Sequence, residues 1–252
     1  MLSLINKVVI ITGGSRGIGA ASAVLFAKAG ANVVFTYTKN EKAAKEIVLN
    51  VRNEGRDCLA IKADISKPKN AVSVVKRTID YFGRIDILVN NAGIWTYGLI
   101  GEMTEKVWKE TMAVNLDGLF YMTNAVVPYM KKQRSGKIIN ISSTAGQRGE
   151  AEHSHYAASK GGVISFTKSI ATELAPFSIN VNSVAPGWVD TELNTSVFKN
   201  EKFKEIARKG IPLGRIPTSE DIAGPIVFLA SDLARHITGE ILNVNGGSVL
   251  IG

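Results

Sequence analysis

The chain has 252 residues, 45% of them hydrophobic, enough to bury one sizeable core, so a single domain over residues 1–252 is expected. The net charge of +8 raises nucleic-acid binding, but Lys and Arg are scattered, no nucleic-acid motif is present, and the densest basic group, Lys131-Lys132-Gln133-Arg134, falls at an expected helix end, where cations suit the dipole. No apolar run reaches the roughly 18 residues of a membrane span, Met1–Lys7 is too short for a signal peptide, and the one cysteine, Cys58, excludes an internal disulfide, all of which fits a cytoplasmic chain with no membrane partner.

Lys7 to Thr12 is a continuous β-branched apolar run, expected as a strand buried on both faces of a parallel sheet. Gly13-Gly14-Ser15-Arg16-Gly17-Ile18-Gly19 follows, then a small-residue helix from Ala20 to Ala29. In a strand, glycine turn and helix of this kind, backbone N–H groups and the helix N-terminus receive a pyrophosphate. The second strand is expected over Asn32–Thr36. Where an acidic side chain would hold the ribose 2′-hydroxyl of NAD stand Tyr37, Thr38 and Lys39. The missing carboxylate removes repulsion toward a 2′-phosphate, and Arg16 and Lys39 can pair with one, so NADP(H) is expected over NAD(H).

A helix over 41–54, a strand over 58–63 and a helix over 68–82 come next. Asp64 closes the strand, either meeting an adenine or forming an Asx turn. The fourth strand, Ile85–Val89, ends in Asn90-Asn91-Ala92-Gly93, whose amides can bridge sheet ends or line a groove. A long helix is expected from Glu105 to Lys132, capped by Thr104. Asn115 has low propensity inside it and wants a reason. Lys137–Ser142 reads as the fifth strand, Ser143 lies just past its end, and Thr144–Glu152 reads as a loop.

Ser154 to Leu174 has apolar residues at helical intervals, which puts Tyr156 and Lys160 on one face, a turn apart. An ammonium there favours the phenolate, so the tyrosine pKa is expected below its usual value of about 10. The pair suits general acid/base exchange with a hydroxyl or carbonyl. His153 and His155 read as loop or substrate-entrance residues, and with His236 far away no metal site is expected. Ser178–Ala185 is the sixth strand, ending at Pro186-Gly187. Trp188–Pro212 is irregular, a lid in character, with a short helix near 202–209. Ser219 is expected to cap a helix over 220–231, kinked at Pro225, before a last strand at Ile241–Asn245. Strands alternating with helices give an α/β class, doubly wound parallel sheet.

In these motifs the chain resembles the classical short-chain dehydrogenase/reductase family from end to end. The resemblance rests on Thr12–Gly19, Asn90–Gly93, Asn115, Ser143, Tyr156–Lys160 and Pro186-Gly187. It implies a Rossmann fold with seven parallel strands, helices on both faces, and an Asn115, Ser143, Tyr156, Lys160 active site. In that comparison Tyr156 is the proton donor, Lys160 lowers its pKa and holds the nicotinamide ribose, Ser143 polarises the substrate oxygen, and Asn115 holds a relay water. It also implies cofactor contacts from Gly13, Ser15, Arg16, Gly17, Ile18, Gly19, Tyr37, Thr38, Lys39, Asp64, Ile65, Asn91, Ala92, Gly93, Pro186, Gly187, Val189 and Thr191, and a homotetramer. Within the family the chain looks most like bacterial 3-oxoacyl-(acyl-carrier-protein) reductases, by Asn243–Gly247 and Ser219–Ala223. Those carry two basic residues for the acidic carrier protein. Arg134 matches one, while Phe177 stands at the other. The expectation is therefore an NADP(H)-dependent oxidoreductase for a small ketone or secondary alcohol. The alternatives are a carrier-protein-linked 3-oxoacyl reductase and a non-catalytic NADP-binding sensor. Trp95, Tyr97, His153, His155 and Trp188 would line its substrate site.

Overall fold

The structure, a computed structural model, describes residues 3–250. In chain order it runs β1 (Val8–Ile11), α1 (Gly17–Lys28), β2 (Asn32–Tyr37), α2 (Glu41–Asn53), β3 (Cys58–Lys62), α3 (Pro68–Phe82), β4 (Ile87–Asn90), α4 (Glu105–Met112), α5 (Gly118–Gln133), β5 (Gly136–Ile141), α6 (Thr144–Arg148), α7 (Ser154–Leu174), β6 (Ile179–Pro186), α8 (Thr195–Phe198), α9 (Glu201–Lys209), α10 (Ser219–Ala230) and β7 (Ile241–Val244). The seven strands form one sheet in the order β3-β2-β1-β4-β5-β6-β7, parallel throughout.

Alternate side chains of β1 leave opposite faces of the sheet, and both faces are buried. Val9 and Ile11 join Phe26 of α1, Phe35 and Ile226 of α10 in one core. Val8 and Ile10 join Val74 of α3, Met122 of α5 and Ile170 of α7 in the other. This explains why β1 is apolar without alternation. Each such fully buried aliphatic side chain contributes roughly 1.5–3 kcal/mol. The chain leaves β1 in one direction through β2 and β3, then crosses back to β4 on the other side. That reversal opens a crevice at the carboxyl ends of β1 and β4.

Four local expectations change. The helix beginning at Glu105 is not continuous: a π-helical turn at Ala113–Asp117 separates α4 from α5. The stretch 144–152 contains α6, whose first backbone N–H groups are served by Ser143. The helix after the glycine turn already starts at Gly17, not Ala20. Thr218, not Ser219, stands at the N-cap of α10, which runs on through Pro225. There the Asp221 carboxylate accepts from the Thr218 N–H at 2.8 Å and from both terminal nitrogens of Arg215 at 2.5 and 2.7 Å.

Those bonds hold the Asp221 carboxyl well below the usual carboxylate range, Arg215 being the largest cause. A depressed acid stabilises the fold fully above its unfolded pKa of about 4, and loses that contribution as pH falls through the native value. Asp221→Ala should therefore cost about 1 kcal/mol at neutral pH. The difference from the parent should shrink in acid, as followed by urea unfolding at several pH values.

Candidate active site

The crevice at the strand ends is a cavity of about 640 Å³. One side is built by the turn after β1. Its tightness follows from close backbone approach: a Cβ on Gly19 would lie 2.4 Å from the Gly13 carbonyl oxygen, so only glycine permits α1 to start there. Gly13, Ser15, Arg16, Gly17 and Ile18 line the cavity, while Gly19 itself is buried behind the turn. The end of β2 supplies Tyr37, Thr38 and Lys39, and the end of β3 supplies Asp64 and Ile65. Arg16 and Lys39 are exposed. Asp64 lines the cavity and also makes the Asx turn, accepting from the Ser66 N–H at 3.0 Å and hydroxyl at 2.7 Å.

The asparagines after β4 do both things anticipated for them. Asn90 donates to Asn140 Oδ1 at 2.9 Å and to Thr123 Oγ1 at 3.0 Å, tying β4 to β5 and α5. Asn91 lines the cavity and donates to the backbone oxygens of Thr12 and Gly13 at 2.9 and 3.2 Å, locking the turn after β1. Ala92 and Gly93 continue the wall, and Pro186, Gly187, Val189 and Thr191 close it from the end of β6.

Ser143, Tyr156 and Lys160 all line the cavity. Their spacing is set by α6 against α7: a Cβ on Gly146 would lie 2.5 Å from the Lys160 carbonyl carbon. The Ser143 oxygen accepts from the Ala145 N–H at 3.1 Å, which leaves its own proton to donate. Lys160, 5% exposed, donates from Nζ to the Ile141 carbonyl at 2.7 Å. Its nitrogen is 5.8 Å from the Tyr156 ring centre. Burial pushes the Lys160 ammonium down to about 8. Burial also pushes the Tyr156 phenol up to about 12, against the opposing pull of the Ser143 hydroxyl. This differs from the expectation of a depressed tyrosine, because desolvation of the phenolate is the largest influence on the phenol. At neutral pH the Tyr156 phenol carries its proton.

Asn115 does not line the cavity. It sits in the π-helical turn, 2% exposed. Its Oδ1 accepts from the Ile94 N–H at 2.8 Å. Its amide donates to the Ile94 carbonyl at 2.9 Å and to Ser159 Oγ at 3.1 Å. Both amide protons are thus committed within the protein, so a water held at Asn115 would have to donate to one of its oxygens.

Of the five residues expected around a substrate, Trp95 and Trp188 line the cavity. Tyr97, His153 and His155 do not. His155 is fully buried, with Nε2 2.9 Å from Thr96 Oγ1. His153 lies behind Trp95, stacked at 4.1 Å between ring centres. Two charged residues of the α6 segment, Arg148 and Glu150, face the cavity instead, and nothing in the sequence beyond polarity marks either of them. Among the described residues no cluster of potential metal ligands is present, and no helix is long and apolar enough to cross a membrane.

Comparison with known proteins agrees with this layout. A family model described as enoyl-(acyl carrier protein) reductase matches residues 13–248. The chain is 41% identical over 251 residues to a 3-oxoacyl-(acyl-carrier-protein) reductase of Synechocystis sp., covering 99% of this chain and 100% of that one. It is 40% identical over 250 residues to the reductase of that name from Vibrio cholerae, with the same two coverages. A solved structure described as a putative short-chain alcohol dehydrogenase from Sinorhizobium meliloti 1021 superposes with a TM-score of 0.94 at 32% identity, covering 98% of each chain. With the sheet order, the glycine turn and the Tyr156–Lys160 pair in one crevice, these likenesses agree: the chain belongs to the short-chain dehydrogenase/reductase family of oxidoreductases.

Proposed function

We propose that this chain is an NADP(H)-dependent reductase of a ketone. The convergence of the Ser143 and Tyr156 hydroxyls beside the dinucleotide turn carries the reading. Two hydroxyl donors grip a carbonyl oxygen, whereas a carbon–carbon double bond offers them nothing to hold. The residues fit the cofactor: a glycine cradle that a Cβ would fill, Arg16 and Lys39 exposed at the cavity rim, and no carboxylate at the end of β2. The chemistry such a cofactor supplies is hydride for the carbonyl carbon. The protein's part is to bind and to move a proton. Ser143 donates to the substrate oxygen and orients it. Tyr156, neutral at pH 7, gives that oxygen its proton as the alcohol forms. Lys160, anchored on Ile141, fixes the cation beneath the site. Asn115 is a positioning residue for the strand end at Ile94.

Among substrates, a 3-oxoacyl thioester on a carrier protein has the support of the relatives' names. A smaller ketone or secondary alcohol is the second reading. It is favoured by the aromatic wall of Trp95 and Trp188 and by Phe177, which stands under Lys131 and Arg134 where a second basic residue was expected. A homotetramer and a cytoplasmic location belong to the same proposal and rest on the family resemblance. The deciding assay follows NADPH oxidation with acetoacetyl thioesters, carrier-bound and free, and with cyclic ketones. Absence of turnover with all of them would refute the reading.

The cofactor preference has its own check. Arg16→Ala removes a charge-assisted partner of about 1.5–3 kcal/mol. Affinity for NADPH should fall roughly 10- to 100-fold by fluorescence titration, and that for NADH much less. Equal losses would show that Arg16 does not read the 2′-phosphate.

A further inference from the structure

The substrate side of the cavity holds a charge that the proposed reaction does not use. Glu150 lines the cavity together with Tyr156, Trp95 and Trp188, yet its side chain is only 18% exposed. One carboxylate oxygen accepts from Trp95 Nε1 at 3.3 Å, so the indole fixes it in place. The cations nearby do not cancel it. His153 Nδ1 is 4.0 Å away, but that nitrogen meets the Ala151 carbonyl at 3.0 Å. Arg148 is exposed, and its pull on the carboxyl is outweighed by burial. Lys160 is committed to Ile141. Glu110 lines the same cavity, whereas the Glu192 carboxylate lies at the cofactor end, beside Gly17 of the turn after β1. The field of Glu150 reaches the reacting centre, since it opposes ionisation of Tyr156.

Resting on the functional reading above, we propose that Glu150 is a charge filter: it admits neutral 3-oxo compounds and turns away those carrying a free carboxylate beside the reacting carbonyl. A fixed half-buried carboxylate within several ångströms of a second one repels it with little solvent screening, worth roughly a 10- to 100-fold discrimination at an effective dielectric near 20. A thioester or amide at the same position has no charge to repel. The site then acts on the activated form of a 3-oxo acid and ignores the hydrolysed acid.

Acetoacetate and acetoacetamide make the test, being nearly the same size and differing in charge, with an acetoacetyl thioester as the reference. With NADPH, kcat/KM for the amide should exceed that for the acid by roughly 10- to 100-fold in the parent enzyme. Glu150→Gln, which keeps an acceptor for Trp95, should shrink the ratio about tenfold or more. Calorimetric binding of the same pair to Tyr156→Phe with NADP present should give the same order. If Glu150→Gln does not fold, the parent's own pH dependence decides. Burial holds the Glu150 carboxyl above the usual range, so acid turnover should rise relative to amide at pH values still above those at which acetoacetate itself, an ordinary carboxylate with a pKa of about 4, takes up a proton. An amide-to-acid ratio near unity, or one that Glu150→Gln and pH leave unmoved, overturns the filter while the functional reading stands. No turnover of thioester, amide or acid overturns the functional reading, and the filter with it.

Discussion

Tyr156→Phe is expected to lower kcat/KM for carbonyl reduction by about 10²- to 10⁴-fold, the usual share of a positioned general acid, while NADPH affinity stays near the parent value. The phenol lines the cavity beside Ser143 and is the group expected to give the substrate oxygen its proton. Ser143 can hold the oxygen but is a far weaker acid, and Lys160 is turned onto Ile141. Burial keeps the phenol protonated up to about 12, so the donor form is present across the whole neutral range. The group that titrates nearer neutrality is Lys160, pushed down to about 8. As pH rises through that value the buried cation is lost, so reduction by the parent enzyme should decline above about pH 8. Oxidation needs the tyrosine to accept a proton and so gains from alkali until the same loss sets in. Stopped-flow kinetics at saturating NADPH separate these limbs. A Tyr156→Phe variant that reduced ketones at the parent rate would remove Tyr156 from the chemistry. The binding measurement guards against a merely structural explanation, because the cofactor turn lies on the other side of the cavity.

The architecture is legible where the physics is local. The apolar β1 run announces a strand covered on both faces, and the glycines after it announce a turn that only glycine can make. All but one of the residues assigned to the cofactor line the cavity, and the exception, Gly19, acts one layer behind it by letting Gly13 approach. The tyrosine and lysine are legible as a pair, but their ionisation is not. Spacing on a helix says which side chains share a face, whereas burial depends on what the sheet and α6 lay over that face. His155 shows the same limit: beside Tyr156 in sequence it reads as an entrance residue, yet the helix turns it inward to Thr96. Glu150 is invisible in the sequence because a carboxylate in a glycine-rich polar stretch looks like any solvated acid. Its meaning comes from Trp95, 55 residues away.

Asn115 carries the last of these expectations and the other large effect. In sequence it is an ill-suited helical residue that wants a reason, and the structure supplies one: the helix widens into a π-helical turn at that point, and the amide reaches across to the backbone at Ile94. Replacing it with Ala leaves a part-buried N–H and a carbonyl at Ile94 without partners and removes a donor from Ser159. At about 1–3 kcal/mol for each group left unpaired, the loss should total roughly 2–4 kcal/mol. For a chain of this size that lowers Tm by about 5–15 °C, measurable by calorimetry. Activity should fall with it, because Gly93 lies against both Asn115 Oδ1 and Lys160 Nζ, at 3.4 and 3.5 Å from where its Cβ would stand. A strand end that loosens there lets the lysine shift. The two roles open to Asn115 then separate cleanly. A positioning residue loses stability and activity together, and Asn115→Asp, which keeps the acceptor for the Ile94 N–H but turns a carboxylate oxygen toward the Ile94 carbonyl, restores neither. A residue that relays protons through a held water would lose activity with Tm intact, and that outcome would favour the water-holding role.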